Sequence, residues 1–138
     1  MKRKLNCILL VDDDPATNFL HTRAIKGTDC AEEIATAENG EAALSYLQQR
    51  FAQNLPAPAL ILLDINMPVM NGWDFLTAYR QLPEEQKSQS KIVMLTTSMN
   101  PDDELRAKTF SEIKEFNFKP LDKAMMLDLL QKHFPELM

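Results

Sequence analysis

The sequence predicts an α/β fold, a doubly wound five-stranded parallel sheet with five helices. Three observations carry that prediction. Strand-like and helix-like segments alternate five times along the chain. The clearest strand segments are continuously apolar rather than alternating, as strands covered on both faces are. Turn and helix-start signals, among them Asp14-Pro15, Asn39-Gly40, Asn71-Gly72 and Asn100-Pro101, separate strand segments from the helical segments that follow.

The elements follow in order. Asn6–Val11 is an apolar strand closed by Asp12, Asp13 and Asp14. Asp14-Pro15 opens a helix, with an Asp N-cap and Pro at the first helical position. Phe19, Leu20 and Ala24 share one face of it, and Gly27 is expected to stop it. Glu33–Ala37 is a short second strand. Glu38-Asn39-Gly40 turns into a second helix, with Ala43, Leu44, Leu47 and Phe51 on its apolar face. Gln53–Pro58 carries two prolines and is a loop. Leu60–Leu63 is the central strand, running straight into Asp64; Pro68 and Asn71-Gly72 then force a turn. Trp73, Leu76, Tyr79 and Leu82 form a third helical face, with Trp73 expected at the sheet edge. Pro83–Ser90 is polar and reads as a long exposed loop. Lys91–Leu95 is the fourth strand, ending in Thr96, Thr97 and Ser98. Asn100-Pro101-Asp102 opens a fourth helix that should end near Phe110. Glu115–Phe118 is a fifth strand, ending in Lys119-Pro120, and Asp122 caps a last helix to about Phe134. Met125, Met126, Leu129 and Leu130 make that helix apolar over a wide arc; core packing explains most of it, and a homodimer contact would explain the excess. Five such strands fit the flavodoxin-like order 2-1-3-4-5.

Bulk properties narrow the function. The 138 residues are expected to form a single domain over 1–138, with no output domain. A net charge of −5 argues against direct nucleic-acid binding, which needs a basic face. No apolar run approaches a membrane span. Lys2, Arg3 and Lys4 before Cys7–Val11 imitate the start of a signal peptide. The run is too short for one and ends in three aspartates, so the cytoplasm is the expected location. Cys7 and Cys30 read as buried small hydrophobes, not a disulfide. His21 and His133 have no partner at metal-ligand spacing and read as helix surface.

In a parallel sheet all carboxyl strand ends lie on one edge, where open α/β sheets place their chemistry. With the order above, Asp12, Asp13, Asp64, Thr96 and Lys119 converge on one crevice. Carboxylates so gathered repel unless compensated. A hard divalent cation, Mg²⁺ above all, suits an oxygen-only donor set, and Lys119 supplies a fixed ammonium. Such a site also suits a phosphoryl group on Asp64, with the carboxylate as nucleophile and the Thr96 hydroxyl donating to a phosphoryl oxygen.

Asp12-Asp13, Asp64 with Met67-Pro68 and Asn71-Gly72, Thr96, and Lys119-Pro120 together resemble the receiver domain of two-component response regulators. The resemblance covers essentially the whole chain and is to the stand-alone class, including regulators partnered with phytochrome-type kinases. It implies Asp64 as phosphoacceptor, charged by a histidine kinase or histidine phosphotransfer protein. It implies Mg²⁺ on Asp13 and Asp64, with Asp12 through water and the main-chain carbonyl of Asn66. Lys119 would contact the phosphoryl group, with a cis peptide to Pro120. Thr96 and Phe116 would switch the face of the fourth helix, fifth strand and fifth helix toward a downstream protein. Asn66, Thr97 and Ser98 fall where the family tunes phosphate lifetime. Thr97 stands where the family usually has a small residue, and Phe116 is less common there than tyrosine.

Other functions fit less well. An aspartate-nucleophile phosphatase would carry a second acid two residues after Asp64, where Asn66 stands. A flavin carrier would need a phosphate loop after the first strand, where three aspartates stand instead. A degenerate receiver acting as a docking module would be expected to have lost part of the set.

Overall fold

The computed structural model describes residues 3–87 and 90–137. Five parallel strands, β1 (Ile8–Val11), β2 (Ile34–Ala37), β3 (Leu60–Leu63), β4 (Lys91–Thr96) and β5 (Ile113–Phe118), form one sheet in the order β2-β1-β3-β4-β5. Between and after them run α1 (Pro15–Thr28), α2 (Gly40–Ala52), α3 (Gly72–Arg80), α4 (Pro101–Ala107) and α5 (Lys123–His133). This is the doubly wound, flavodoxin-like arrangement the alternation predicts.

Successive strand residues point to opposite faces, and the core divides accordingly. Leu9, Val11, Ile61, Leu63, Ile92 and Met94 pack with residues of α2, α3 and α4, whereas Ile8, Leu10, Leu60, Leu62, Val93 and Leu95 pack with Ile25 of α1 and Met126, Leu129 and Leu130 of α5. Each aliphatic side chain buried this completely contributes about 1.5–3 kcal/mol. The register sets the site: Val11 lies opposite Leu63, Leu63 opposite Met94, and Thr96 opposite Phe118. The residues that follow those strand ends therefore emerge along one edge.

Several boundaries and faces differ from the sequence expectation. Helix α1 runs through Gly27 to Thr28 and is capped by Asp29, which takes the left-handed conformation (φ 51°) that short polar residues tolerate. Its buried stripe is His21, Ile25 and Thr28, so Phe19 and Leu20 face outward and are more than half exposed. In α2 the inward residue near the end is Arg50 rather than Phe51, because its guanidinium finds partners there. Nε donates to the Pro56 carbonyl at 2.8 Å, and an Nη donates to Glu33 at 3.1 Å and to the Tyr46 hydroxyl at 3.2 Å. Trp73 is not at the sheet edge; it is buried in the core and stacks on Phe110 at 5.8 Å.

Helix α4 stops at Ala107, three residues short of Phe110, and β5 begins two residues early at Ile113. Of the apolar arc on α5, Met126, Leu129 and Leu130 are buried and Met125 packs against the same cluster. His133 is not free surface, since its Nε2 lies 2.9 Å from Glu115 Oε1. The expected loop Pro83–Ser90 carries a 3₁₀ turn at Glu84–Gln86, and residues 88 and 89 of it lie outside the described residues, as does residue 2 of the basic start. Asp14 caps α1 as expected, accepting from the Ala16 N–H at 3.2 Å and the Thr17 hydroxyl at 2.6 Å. Both cysteines are buried free thiols. Among the described residues no helix is long and apolar enough to cross a membrane.

Candidate functional site

The carboxyl edge of the sheet gathers the acids. Ligand atoms of Asp12, Asp13 and Asp64 all lie within 4.8 Å of one another, with Asp12 and Asp64 buried and Asp13 exposed. The Lys119 ammonium bridges the two buried carboxylates, 2.5 Å from Asp12 Oδ2 and 3.1 Å from Asp64 Oδ2. The other oxygen of each is held by the backbone: Asp12 Oδ1 accepts from the Asp14 N–H and Asp64 Oδ1 from the Ile65 N–H, both at 2.9 Å. Both side chains are thereby oriented, and each keeps acceptor capacity.

Two effects compete in the protonation of this cluster. Burial pushes the Asp64 carboxyl above its ordinary value, and Asp12 adds repulsion, while Lys119 pulls it back. For Lys119, burial works against the ammonium, but hydrogen bonding and attraction from Asp12 and Asp64 win, so its pKa is raised. The geometry is thus a fixed cation between two acids, with a third acid at the mouth.

The loop after Asp64 is pressed tightly onto the strand ends. A Cβ on Gly72 would sit 2.4 Å from the Asp64 carbonyl oxygen, so only glycine fits, and the Gly72 N–H donates to the Ile65 carbonyl at 2.8 Å. Asn71 and Asp74 form a reciprocal capping box at the start of α3. Within the loop Val69 adopts φ 67° and is highly exposed. Asn66 is also exposed, and among the described residues its carbonyl accepts no hydrogen bond.

The remaining predicted residues do not all engage this cluster. Thr96 is fully buried; its carbonyl accepts the Lys119 N–H at 2.9 Å, and its hydroxyl oxygen accepts the Ser98 N–H at 3.0 Å. Among the described residues that hydroxyl makes no hydrogen bond to Asp64 or Lys119. Thr97 is exposed. Ser98 instead ties to α4, with its Oγ donating to Asp103 Oδ2 at 2.5 Å. Phe116 is half-buried and meets Phe118 edge-on at 5.8 Å. With Ala107, Lys108 and Ile113 it lines a groove of about 260 Å³ between α4 and β5, to which none of the three aspartates contributes. The Lys119–Pro120 peptide is cis.

Two residues next to the site were not read from the sequence as part of it. Asn18 Nδ2 donates to the Asp12 carbonyl at 2.9 Å. His21, expected on the surface, is buried, and its Nε2 accepts the Leu121 N–H at 3.1 Å. A signal for both existed: Asn18, His21 and Ile25 stand three and four residues apart, one stripe of a helix. Burial pushes the His21 imidazole below its ordinary pKa; Asp12 opposes that and Lys119 adds to it.

Comparison with known proteins follows the same lines. The response regulator receiver domain family matches residues 8–131. Response regulator Rcp1 of Synechocystis is 38% identical over 97 residues, 70% of this chain and 65% of that protein, so the match spans slightly under two thirds of the relative. The structure of Rcp1 in its Mn²⁺-bound form is 30% identical with a TM-score of 0.73, covering 96% of both chains. A two-component response regulator from Cytophaga hutchinsonii gives a TM-score of 0.85 at 34% identity, over 94% of this chain and 97% of that one. The phosphorylated cyanobacterial phytochrome response regulator RcpA gives 0.73 at 27% identity, over 93% of this chain and 90% of that one.

Proposed function

As this chain belongs to the family of response regulator receiver domains, we propose that it is a signalling phosphoacceptor whose acceptor is Asp64. The observation that carries the reading is the Lys119 ammonium held between Asp12 and Asp64, with Asp13 beside them. An Asp64 carboxylate oxygen attacks phosphorus of a phosphohistidine on a histidine kinase or phosphotransfer protein. The new P–O bond forms as the P–N bond breaks, and the histidine leaves with its electron pair. Lys119 neutralises the incoming phosphoryl oxygens, exchanging carboxylate partners for phosphoryl ones.

The all-oxygen donor set fits a hard divalent cation such as Mg²⁺. Asp12, Asp13, Asp64 and the unengaged Asn66 carbonyl would hold it, and when bound it supplies further charge neutralisation to the phosphoryl oxygens. The Thr96 hydroxyl keeps its own proton to donate toward the phosphoryl group while its oxygen accepts from Ser98. Phe116 and the groove beside α4 are the natural readout, shifting the α4–β5–α5 face toward a downstream protein. Asn66, two residues after the acceptor, and Thr97 and Ser98, which follow Thr96, tune how long the phosphoryl group survives.

Intact mass measured after incubation with acetyl phosphate and Mg²⁺ tests the reading. Wild type should gain one phosphoryl group, and chelator or Asp64→Asn should abolish the gain. Labelling retained in Asp64→Asn would move the acceptor elsewhere. A wild type that neither labels nor binds Mg²⁺ would leave a phosphorylation-independent docking module as the function.

A further inference from the structure

We propose that His21 is a positioning residue for the transfer: by accepting the Leu121 N–H it fixes the Lys119-Pro120 turn, and so the place of the Lys119 ammonium beside Asp64. The proposal rests on the phosphoacceptor reading and adds a residue on α1 to its machinery.

The place of the Lys119 ammonium depends on what holds its backbone. Its side chain reaches both buried carboxylates, so its backbone must be held at the end of an edge strand whose residues are only partly buried. On the upstream side the Lys119 N–H donates to the Thr96 carbonyl at 2.9 Å, the last rung between β4 and the turn. Downstream, Pro120 has no N–H to give. The first amide that can anchor the turn is therefore Leu121, and it donates to no backbone group of the sheet. It donates to His21 Nε2 at 3.1 Å, across one hundred residues of sequence. Leu121 itself is buried, so without that acceptor its N–H would be an orphan in the core. The two ends of the turn are thus pinned by different elements, the sheet on one side and α1 on the other.

His21 is suited to this and to little else. It is 3% exposed, which closes it to partners in solution. The space it shares with Asp12, Asn18 and Asp64 is about 10 Å³, room for one water and no reacting group. Acceptance at Nε2 requires the ring to be unprotonated there, and burial favours the neutral form. The side chain therefore acts through the Leu121 peptide and Lys119, not on the phosphoryl group.

The test uses the full chain, acetyl phosphate as donor and Mg²⁺, so that no partner contact with α1 enters. His21→Leu fills the space without an acceptor, and His21→Gln places an oxygen near the former Nε2. In a folded His21→Leu variant the phosphorylation rate at saturating donor should fall about tenfold, while the Mg²⁺ half-saturation does not rise and His21→Gln regains most of the rate. Should His21→Leu not fold, His21→Asn, polar but too short to reach Leu121, replaces it. A wild-type rate in the acceptor-free variant would overturn the proposal, as would a His21→Gln protein as slow as it. A Mg²⁺ half-saturation that rises as the rate falls would also overturn it, because His21 would then act on the carboxylates. Absence of labelling in wild type would instead remove the phosphoacceptor reading beneath it.

Discussion

Lys119 lies closer to Asp12 than to Asp64, 2.5 Å against 3.1 Å, so the cation in this site is shared and not dedicated to the candidate acceptor. Its side chain is largely buried, which makes the attraction strong and the loss of the ammonium costly.

Removing the ammonium should expose that cost. In metal-free protein Lys119→Met is expected to lose about 3 kcal/mol, because two buried carboxylates are left facing each other. Mg²⁺ should restore part of the loss and bind more tightly than to wild type, since no ammonium competes for the same oxygens. Urea unfolding with and without Mg²⁺ measures both; equal stability of variant and wild type without metal would show that the pair contributes nothing net.

The acceptor should also have a stability signature. Burial and Asp12 raise the Asp64 pKa above 3.8 in the fold. Between the unfolded and folded values the native state binds the extra proton, so this group's contribution falls as pH rises through that window. Metal-free Asp64→Asn should therefore be more stable than wild type at pH 7, with the advantage shrinking as pH falls toward 3.8. Denaturant midpoints across that range decide it, and an advantage independent of pH would assign the effect to something other than the charge.

His21 titrates in the opposite sense. Its folded pKa is lowered, so below about 6.5 the unfolded chain binds more protons than the native one and stability falls as pH falls. His21→Gln lacks this group and should lose less stability than wild type between pH 7 and pH 5. Parallel curves for the two proteins would mean that His21 carries no such penalty.

Val69 holds a left-handed backbone (φ 67°) on an exposed, β-branched residue, a conformation that costs about 1–2 kcal/mol. Val69→Gly releases it, offset by the greater freedom of glycine in the unfolded chain. A net gain of about 0.5–1 kcal/mol is expected by thermal or urea unfolding. A loss would mean that the valine side chain makes contacts that outweigh the strain.

The amino-acid pattern alone dictates the order of elements, the doubly wound sheet and the convergence of Asp12, Asp13, Asp64 and Lys119. Those follow from local signals: apolar runs of strand length, helix starts at Asp14, Asn100 and Asp122, and the rule that parallel strands share one carboxyl edge. What it did not determine was which side of each helix faces inward. Apolar count favoured Phe19, Leu20 and Phe51, yet the fold turns His21 and Arg50 inward, because a polar side chain with a matched partner can be buried. Those partners, the Leu121 N–H, the Pro56 carbonyl and Glu33, come from other elements, and their positions exist only once the sheet has formed. Helix ends behaved likewise: Gly27 was an adequate stop, but Asp29, tied to Lys4 at 2.8 Å, supplied the left-handed turn instead. Periodicity reports what a residue prefers in isolation; tertiary structure decides which preferences are met.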